Sequence, residues 1–396
     1  MRSLNIGFVH PDLGIGGAER LVVDAATALR AAGHHVTIHT SHHDRERSFE
    51  ETRDGTLAVR AHDSLFPRHI AGRLLAPCAI ARTLVAARQA RRAHYDVVFC
   101  DLVAHSVPAV RRPGTRVAFY CHYPDKLLAP PGGVLHRWYR RPIDALEERA
   151  TAMADLILVN SRFTAAAFEQ AYPGCAHVRP TLLYPGVRTE RFGGSQALAG
   201  SDEPILLLAI SRLERKKNLE LAVGALARLR SLVPADVAAR LRLCVAGGYD
   251  ERLEDNRQAL QRLRAEIARH GLGGVVAIEA NVSDERKLEL LHACRAVIYT
   301  PGHEHFGYVP LEAMASGRPV AVCDTGGPTE TVVHGMTGLV CAPTAEAFAS
   351  QLAPLVTDVA LARRMGVAGV SHVAAAFSMD AFGGRLRAIV DALAAS

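Results

Sequence analysis

Apolar residues recur along this chain in a fixed rhythm. Short continuous apolar runs alternate with longer stretches in which apolar positions return every three or four residues. The runs predict buried parallel strands, and the stretches between them predict amphipathic helices. NIGFVH (5–10) reads as the first strand. A helix from about Ala18 to Ala32 follows, with Leu21, Val22, Ala25 and Leu29 on one face; Gly33 ends it, and HHVTIHT (34–40) completes a βαβ unit. YDVVFC (95–100), TRVAFY (115–120) and ADLILV (154–159) continue the series. RFGGSQALAGSDEP (191–204) has no apolar period and reads as a linker. Beyond it the rhythm restarts with PILLLAIS (204–211), LRLCVAGG (241–248), GVVAIEAN (274–281), RAVIYTP (295–301) and RPVAVCD (318–324). The fold class is therefore α/β, with two doubly wound, Rossmann-like domains facing a cleft. The expected boundaries are 1–195 and 196–380, with a C-terminal helix at 381–396 packing back towards the first domain.

At 396 residues the chain is too long for a single core, which agrees with two domains. The longest apolar runs are too short or too often broken by arginine to span a bilayer, and Met1-Arg2-Ser3 leads directly into the first strand. A cytoplasmic location is expected. Eight cysteines lie in apolar surroundings without a C-x-x-C pair, so they read as small buried hydrophobes. The net charge is +6 and is uneven: residues 1–200 hold 25 Lys+Arg against 18 Asp+Glu, residues 201–396 hold 21 against 22. Much of the excess lies in 68–94, including Arg88, Arg91 and Arg92, and in HRWYRR (136–141). Such interleaving suits either a solvated arginine face or a helix resting on an anionic membrane surface. Few aromatic residues accompany the basic ones, so no nucleic-acid partner is expected.

Three stretches carry chemistry. GIGGAER (14–20) joins the first strand to the first helix, where Gly16 and Gly17 let the backbone pass close to a phosphate or sugar. It matches neither G-x-x-x-x-G-K-[ST] nor G-x-G-x-x-G, and a purely structural turn suits it too. SRLERKKN (211–218) puts Arg212 and Lys217 on the loop after the first strand of the second half, where open α/β sheets bind ligands and two cations can hold a diphosphate. PGHEHFGYVPLEAMASGRP (301–319) places Glu304 on a loop and Glu312 in the first turn of a helix whose early position is marked by Pro310. The amides of His305, Phe306 and Gly307 offer a second anion site, Glu304 can accept from hexose hydroxyls and Glu312 from a ribose. GGPTE (326–330) adds amides to the same rim. No D-x-D occurs, and the paired cations supply the charge that a metal would, so no metal and no other cofactor is expected. HTSHHD (39–44) would point adjacent imidazoles to opposite faces of a strand.

Together, E-x7-E from Glu304 to Glu312, S-R-L-x-x-x-K from Arg212 to Lys217, G-G-A-E-R and G-G-P-x-E resemble the retaining, nucleotide-sugar-dependent glycosyltransferases of GT-B architecture. HPDLGIGGAERLVVDAA (10–26), YCHYPDKLLA (120–129), ERKKNLELA (214–222), GGYDER (247–252) and YTPGHEHFGYVPLEAM (299–314) narrow the resemblance to the eukaryotic α-1,3/1,6-mannosyltransferases of lipid-linked oligosaccharide assembly. That resemblance implies GDP-mannose as donor and a polyprenyl-diphosphate glycan as acceptor, at the cytoplasmic face of a membrane. It implies that Arg212 and Lys217 hold the diphosphate, that Gly16 and Gly17 face the β-phosphate and donor sugar, and that Glu304 with the Phe306 and Gly307 amides grips the hexose. Glu312 would hold the ribose, His122 would lie near the anomeric carbon, and Asp125 is a candidate acceptor contact. A UDP-sugar donor on the same fold stays open, and a dinucleotide-dependent oxidoreductase, with Asp44 as its ribose acid, is the alternative from another class.

Overall fold

The computed structural model describes residues 2–62, 66–67, 75–128, 133–193 and 203–396. Residues 68–74 of the basic stretch and 194–202 of the expected linker lie outside them. The chain forms two compact units, Met1–Gly186 with Met379–Ser396, and Val187–Ser378.

Unit 1 alternates strand and helix: β1 (Asn5–His10), α1 (Gly17–Ala31), β2 (His35–Thr40), β3 (Ala58–Ala61), α2 (Leu75–Arg92), β4 (Val97–Asp101), α3 (Ser106–Val110), β5 (Arg116–Cys121), α4 (Asp125–Leu128), α5 (Val134–Thr151), β6 (Leu156–Val159), α6 (Arg162–Ala171) and β7 (Thr181–Leu182). Its parallel sheet has the order β3-β2-β1-β4-β5-β6-β7. Both faces of its central strands are covered, which is why β1, β4 and β5 carry continuous apolar runs between their ends. Phe8 and Phe99 point to one face and stack at 4.8 Å; Val9, Val98 and Cys100 point to the other.

Unit 2 repeats the plan with β8 (Ile205–Ile210), α7 (Glu220–Leu232), α8 (Ala235–Arg240), β9 (Leu241–Gly247), α9 (Glu254–Arg269), β10 (Val276–Ala280), α10 (Asp284–Ala293), β11 (Ala296–Tyr299), α11 (Tyr308–Ala315), β12 (Val320–Cys323), α12 (Pro328–Thr331), β13 (Gly338–Cys341), α13 (Ala345–Thr357) and α14 (Val359–Ala376). Its sheet runs β10-β9-β8-β11-β12-β13, again parallel. The final helix, α15 (Met379–Ala395), belongs to unit 1 and buries Phe382, Leu386, Val390 and Leu393 in the core that α1 also lines.

The chain enters unit 2 at Val187, ahead of the glycine-rich segment. Residues 189–192 form a short 3-10 turn tied to α10: Arg191 pairs with Asp284 at 2.9 Å, and the His292 ring bonds the Phe192 carbonyl at 2.8 Å. The crossing into unit 2 thus comes before the Gly- and Ser-rich composition that marked the expected linker, and the turn at 189–192 packs in unit 2. All eight cysteines are free and buried, and no described helix is long and apolar enough to cross a membrane.

Candidate functional site

In open α/β sheets, ligands bind at the carboxyl ends of strands where the strand order reverses. Unit 2 reverses between β8 and β11, and the two stretches singled out from the sequence leave those two strands. After β8 the chain makes a 3-10 turn at Arg215–Lys217, closed by Asn218 with φ +49°. The Thr300 hydroxyl, just past β11, donates to the Lys217 carbonyl at 2.6 Å and fastens the two loops together. Lys217 Nζ then reaches Glu304 Oε2 at 2.5 Å, and the Tyr299 hydroxyl donates to the same oxygen at 2.8 Å. Burial alone would push the Glu304 carboxyl up, but the Lys217 charge and hydrogen bond hold it below its ordinary range. The same carboxylate and burial push the Tyr299 hydroxyl well up. Glu304 is therefore an ionised acceptor, and Lys217 keeps further N–H donors for an anion. Arg212 is two-thirds exposed and pairs with Glu214 at 2.9 Å.

The loop from Glu304 to Gly307 is held from behind by GGPTE. The Gly327 N–H donates to the Glu304 carbonyl at 2.8 Å, and a Cβ on Gly326 would sit 2.6 Å from that carbonyl oxygen. Close backbone approach, with φ +82° at Gly326, requires glycine there. Phe306 is buried against Tyr308 and Phe377, so this loop offers its backbone and not that ring.

One expectation needs correcting. Gly307, at φ +88°, is the N-cap and the helix starts at Tyr308, so Glu312 is its fifth residue and lies in the second turn, with no acid in the first. Its carboxylate is held by Lys287 of α10 at 2.6 Å instead of by helix-start amides. The two residues line a pocket of about 190 Å³ with Arg191, Phe192, Asp284 and Leu288. Lys287 carried no signal in the sequence: it lies 25 positions before Glu312 on a helix that reads as ordinary surface.

Unit 1 reverses its strand order between β1 and β4. His10 ends β1, Asp101 ends β4, and His122 follows β5. Asp101 bonds both rings at 2.8 Å, His10 through Nδ1 and His122 through Nε2. Gly16 is the N-cap of α1 in extended conformation, and a Cβ there would run into the Glu19 carboxylate; a Cβ on Gly17 would meet no protein atom within 4 Å.

Residues 15–191 match the model of Glycosyltransferase Family 4, and residues 195–371 that of the Glycosyl transferases group 1. The chain is 42% identical over 387 residues to the human alpha-1,3/1,6-mannosyltransferase ALG2, covering 95% of this chain and 92% of that one. With the Dictyostelium discoideum ALG2 it shares 39% over 418 residues, covering 99% of both. The chain belongs to the α-1,3/1,6-mannosyltransferase family. Among solved structures, a glycosyltransferase from Rickettsia africae superposes with a TM-score of 0.75 at 19% identity, covering 99% of both chains. Anabaena Alr3699/HepE in complex with UDP and glucose gives 0.72 at 20%, covering 98% of this chain and all of that one. These likenesses establish the GT-B fold, and this mannosyltransferase chain carries it with sheets of seven and six strands.

Other residues expected in the site of this mannosyltransferase lie elsewhere in unit 1. Asp125 begins α4 and is half-exposed; Arg140 donates to it at 2.8 Å and also pairs with Asp144 at 2.7 Å. Arg140 is thus buried and not part of a basic surface. Arg82 is likewise turned inward, onto Asp12. Arg88, Arg91, Arg92 and Arg141 are exposed. His39 of the HTSHHD stretch is buried, bonded to His62 and Tyr95, and burial lowers it to about 4. It is a neutral packing residue.

Proposed function

We infer that this chain transfers mannose from GDP-mannose to a polyprenyl-diphosphate-linked oligosaccharide, through α-1,3 and/or α-1,6 links, with retention of configuration and without a metal. The observation that carries the reading is the meeting of Lys217, Glu304 and the Gly307 backbone at the switch point of unit 2, in a chain about 40% identical to α-1,3/1,6-mannosyltransferases over nearly its whole length. Transfer breaks the bond between C1 of the sugar and a diphosphate oxygen, and charge builds on the leaving group. Lys217 and Arg212 oppose that charge; Glu304 accepts from the mannose hydroxyls and Glu312 from the ribose. The acceptor oxygen forms the new bond to C1 on the same face, and its proton passes to the departing phosphate oxygen. Gly17, where side-chain space is open, suits a close approach of the donor.

Thermal unfolding distinguishes the base. GDP at one hundred times its Kd adds about 2.7 kcal/mol of stability; the expected result is a rise in Tm with GDP well above that with equal UDP. Equal shifts, or a larger one with UDP, contradict the donor assignment.

The reading includes peripheral attachment to the cytoplasmic face of an anionic membrane. Leu127, Leu128 and Trp138 are 48%, 55% and 71% exposed, and Arg141 is exposed beside Trp138's helix turn. Exposed large apolar side chains, with an exposed arginine one helix turn from the tryptophan, suit a headgroup boundary. Cosedimentation with phosphatidylserine vesicles should weaken in high salt and on replacing Arg88, Arg91 and Arg92 by glutamine, at about 1 kcal/mol per arginine near the surface. Binding indifferent to both treatments excludes an electrostatic contribution from that stretch.

A further inference from the structure

The residues at the switch point of unit 1 form a connected set of which the sequence reading named only one end. Val9 pairs with Cys100 across β1 and β4, so His10 and Asp101 come next, side by side, at the carboxyl edge. Both are buried, their side chains 0% and 3% exposed. Asp101 gives one oxygen to each imidazole, Oδ2 to His10 Nδ1 and Oδ1 to His122 Nε2, both at 2.8 Å. Beyond His10, its Nε2 faces Glu19 Oε1 at 3.9 Å, an ion-pair distance. Glu19 is the acid of GIGGAER, in the first turn of α1. The two ends of this chain of groups reach solvent, His122 with 21% and Glu19 with 23% of the side chain exposed. Its ring lies 4.8 Å from that of Tyr120, its carbonyl accepts from Asn160 Nδ2 at 3.1 Å, and its Nδ1 has no bond to a described residue.

The protonation of the set follows from its partners. Burial alone would raise Asp101, but the hydrogen bonds from both rings and the charge on His10 hold it below the usual carboxylate range. Burial alone would lower His10, but the hydrogen bond to Asp101 and the charges of Asp101 and Glu19 raise it to about 9. An ionised carboxylate can only accept, so both rings must donate to it. His10 then carries the positive charge that lets Asp101 stay ionised away from water, and Nε2 of His122 carries a hydrogen.

We propose that Asp101, backed by His10 and Glu19, is a positioning residue for the transfer: it locks the His122 ring with Nε2–H turned inward and leaves Nδ1 as an acceptor for a sugar hydroxyl. The proposal rests on the transferase reading above. Glu19 adds a link between the glycine loop and His122, and explains Gly16, since a side chain there would displace the Glu19 carboxylate from its place beside His10.

The test combines kinetics with the nitrogen signals of His122 in histidine-labelled protein, assigned with His122→Gln. The wild type should show a single tautomer with Nε2 protonated. Asp101→Asn should lose that signature and lower kcat about 10²-fold, with the donor KM changed less than threefold. Glu19→Gln, on a partly exposed group, guards against loss of folding: kcat should drop several-fold at unchanged Tm. Mixed His122 tautomers in the wild type would overturn the proposal, as would unchanged kcat in a folded Asp101→Asn. A wild type that transfers no mannose yet shows the single tautomer would refute the transferase reading and the positioning role built on it, and leave a buried relay of structural purpose.

Discussion

Lys217→Ala should lower kcat for mannose transfer by about 10²- to 10³-fold, the loss associated with removing one fixed group that opposes developing charge. The variant also strips Glu304 of its cation, leaving a carboxylate only 21% exposed with the Tyr299 hydroxyl as its remaining donor. Two effects therefore have to be separated, the missing charge at the diphosphate and the stranded acid. Lys217→Ala combined with Glu304→Gln removes the stranded acid. If that double variant regains thermal stability while kcat stays low, Lys217 acts on the leaving group. A KM that rises while kcat is unchanged would mean that Lys217 binds ground state and transition state equally, contrary to the mechanism.

Glu312→Ala should raise the Kd for GDP by about 10- to 100-fold, because a carboxylate accepting from hydroxyls contributes about 1.5–3 kcal/mol per bond. The effect should fall on nucleotide binding and largely spare kcat once the donor is saturating. Isothermal titration with GDP decides it. Its partner is equally informative: Lys287 occupies Glu312 Oε2 at 2.6 Å, so a ribose that takes both carboxylate oxygens has to draw that ammonium aside. Unchanged GDP affinity in Glu312→Ala would remove the ribose assignment and leave the acid as a structural partner of α10.

The parts of this fold legible in the sequence are those in which one chain segment carries its own instruction. Of the ten strands that announced themselves, most did so because burial on both faces removes the polar alternation; β10, at a sheet edge and only partly buried, did so by its apolar run alone. The unread ones, β3, β7 and β13, are edge strands of two to four residues, and β3 is largely exposed, so the apolar signal never accumulates. Glu312 falls one turn later than Pro310 implies, because Gly307, free to adopt a positive φ, caps the helix earlier. Arg212, Lys217 and Glu304 could be found because loops leaving the central strands hold them in short motifs. His10 and Asp101 could not: 91 positions separate them, and each looks like the polar end of a strand until β1 and β4 are known to be neighbours. The same holds for Lys287, which meets Glu312 through the packing of two helices.

The central claim is that fixed cations and carboxylates at the unit 2 switch point hold a mannose-bearing guanine nucleotide for transfer to a lipid-linked glycan. Its most direct test is mass analysis of a polyprenyl-diphosphate oligosaccharide after incubation with the protein and GDP-mannose in chelator. The account predicts an acceptor heavier by one or two hexoses, joined in α linkage. An acceptor of unchanged mass, with free mannose released or no turnover, contradicts it.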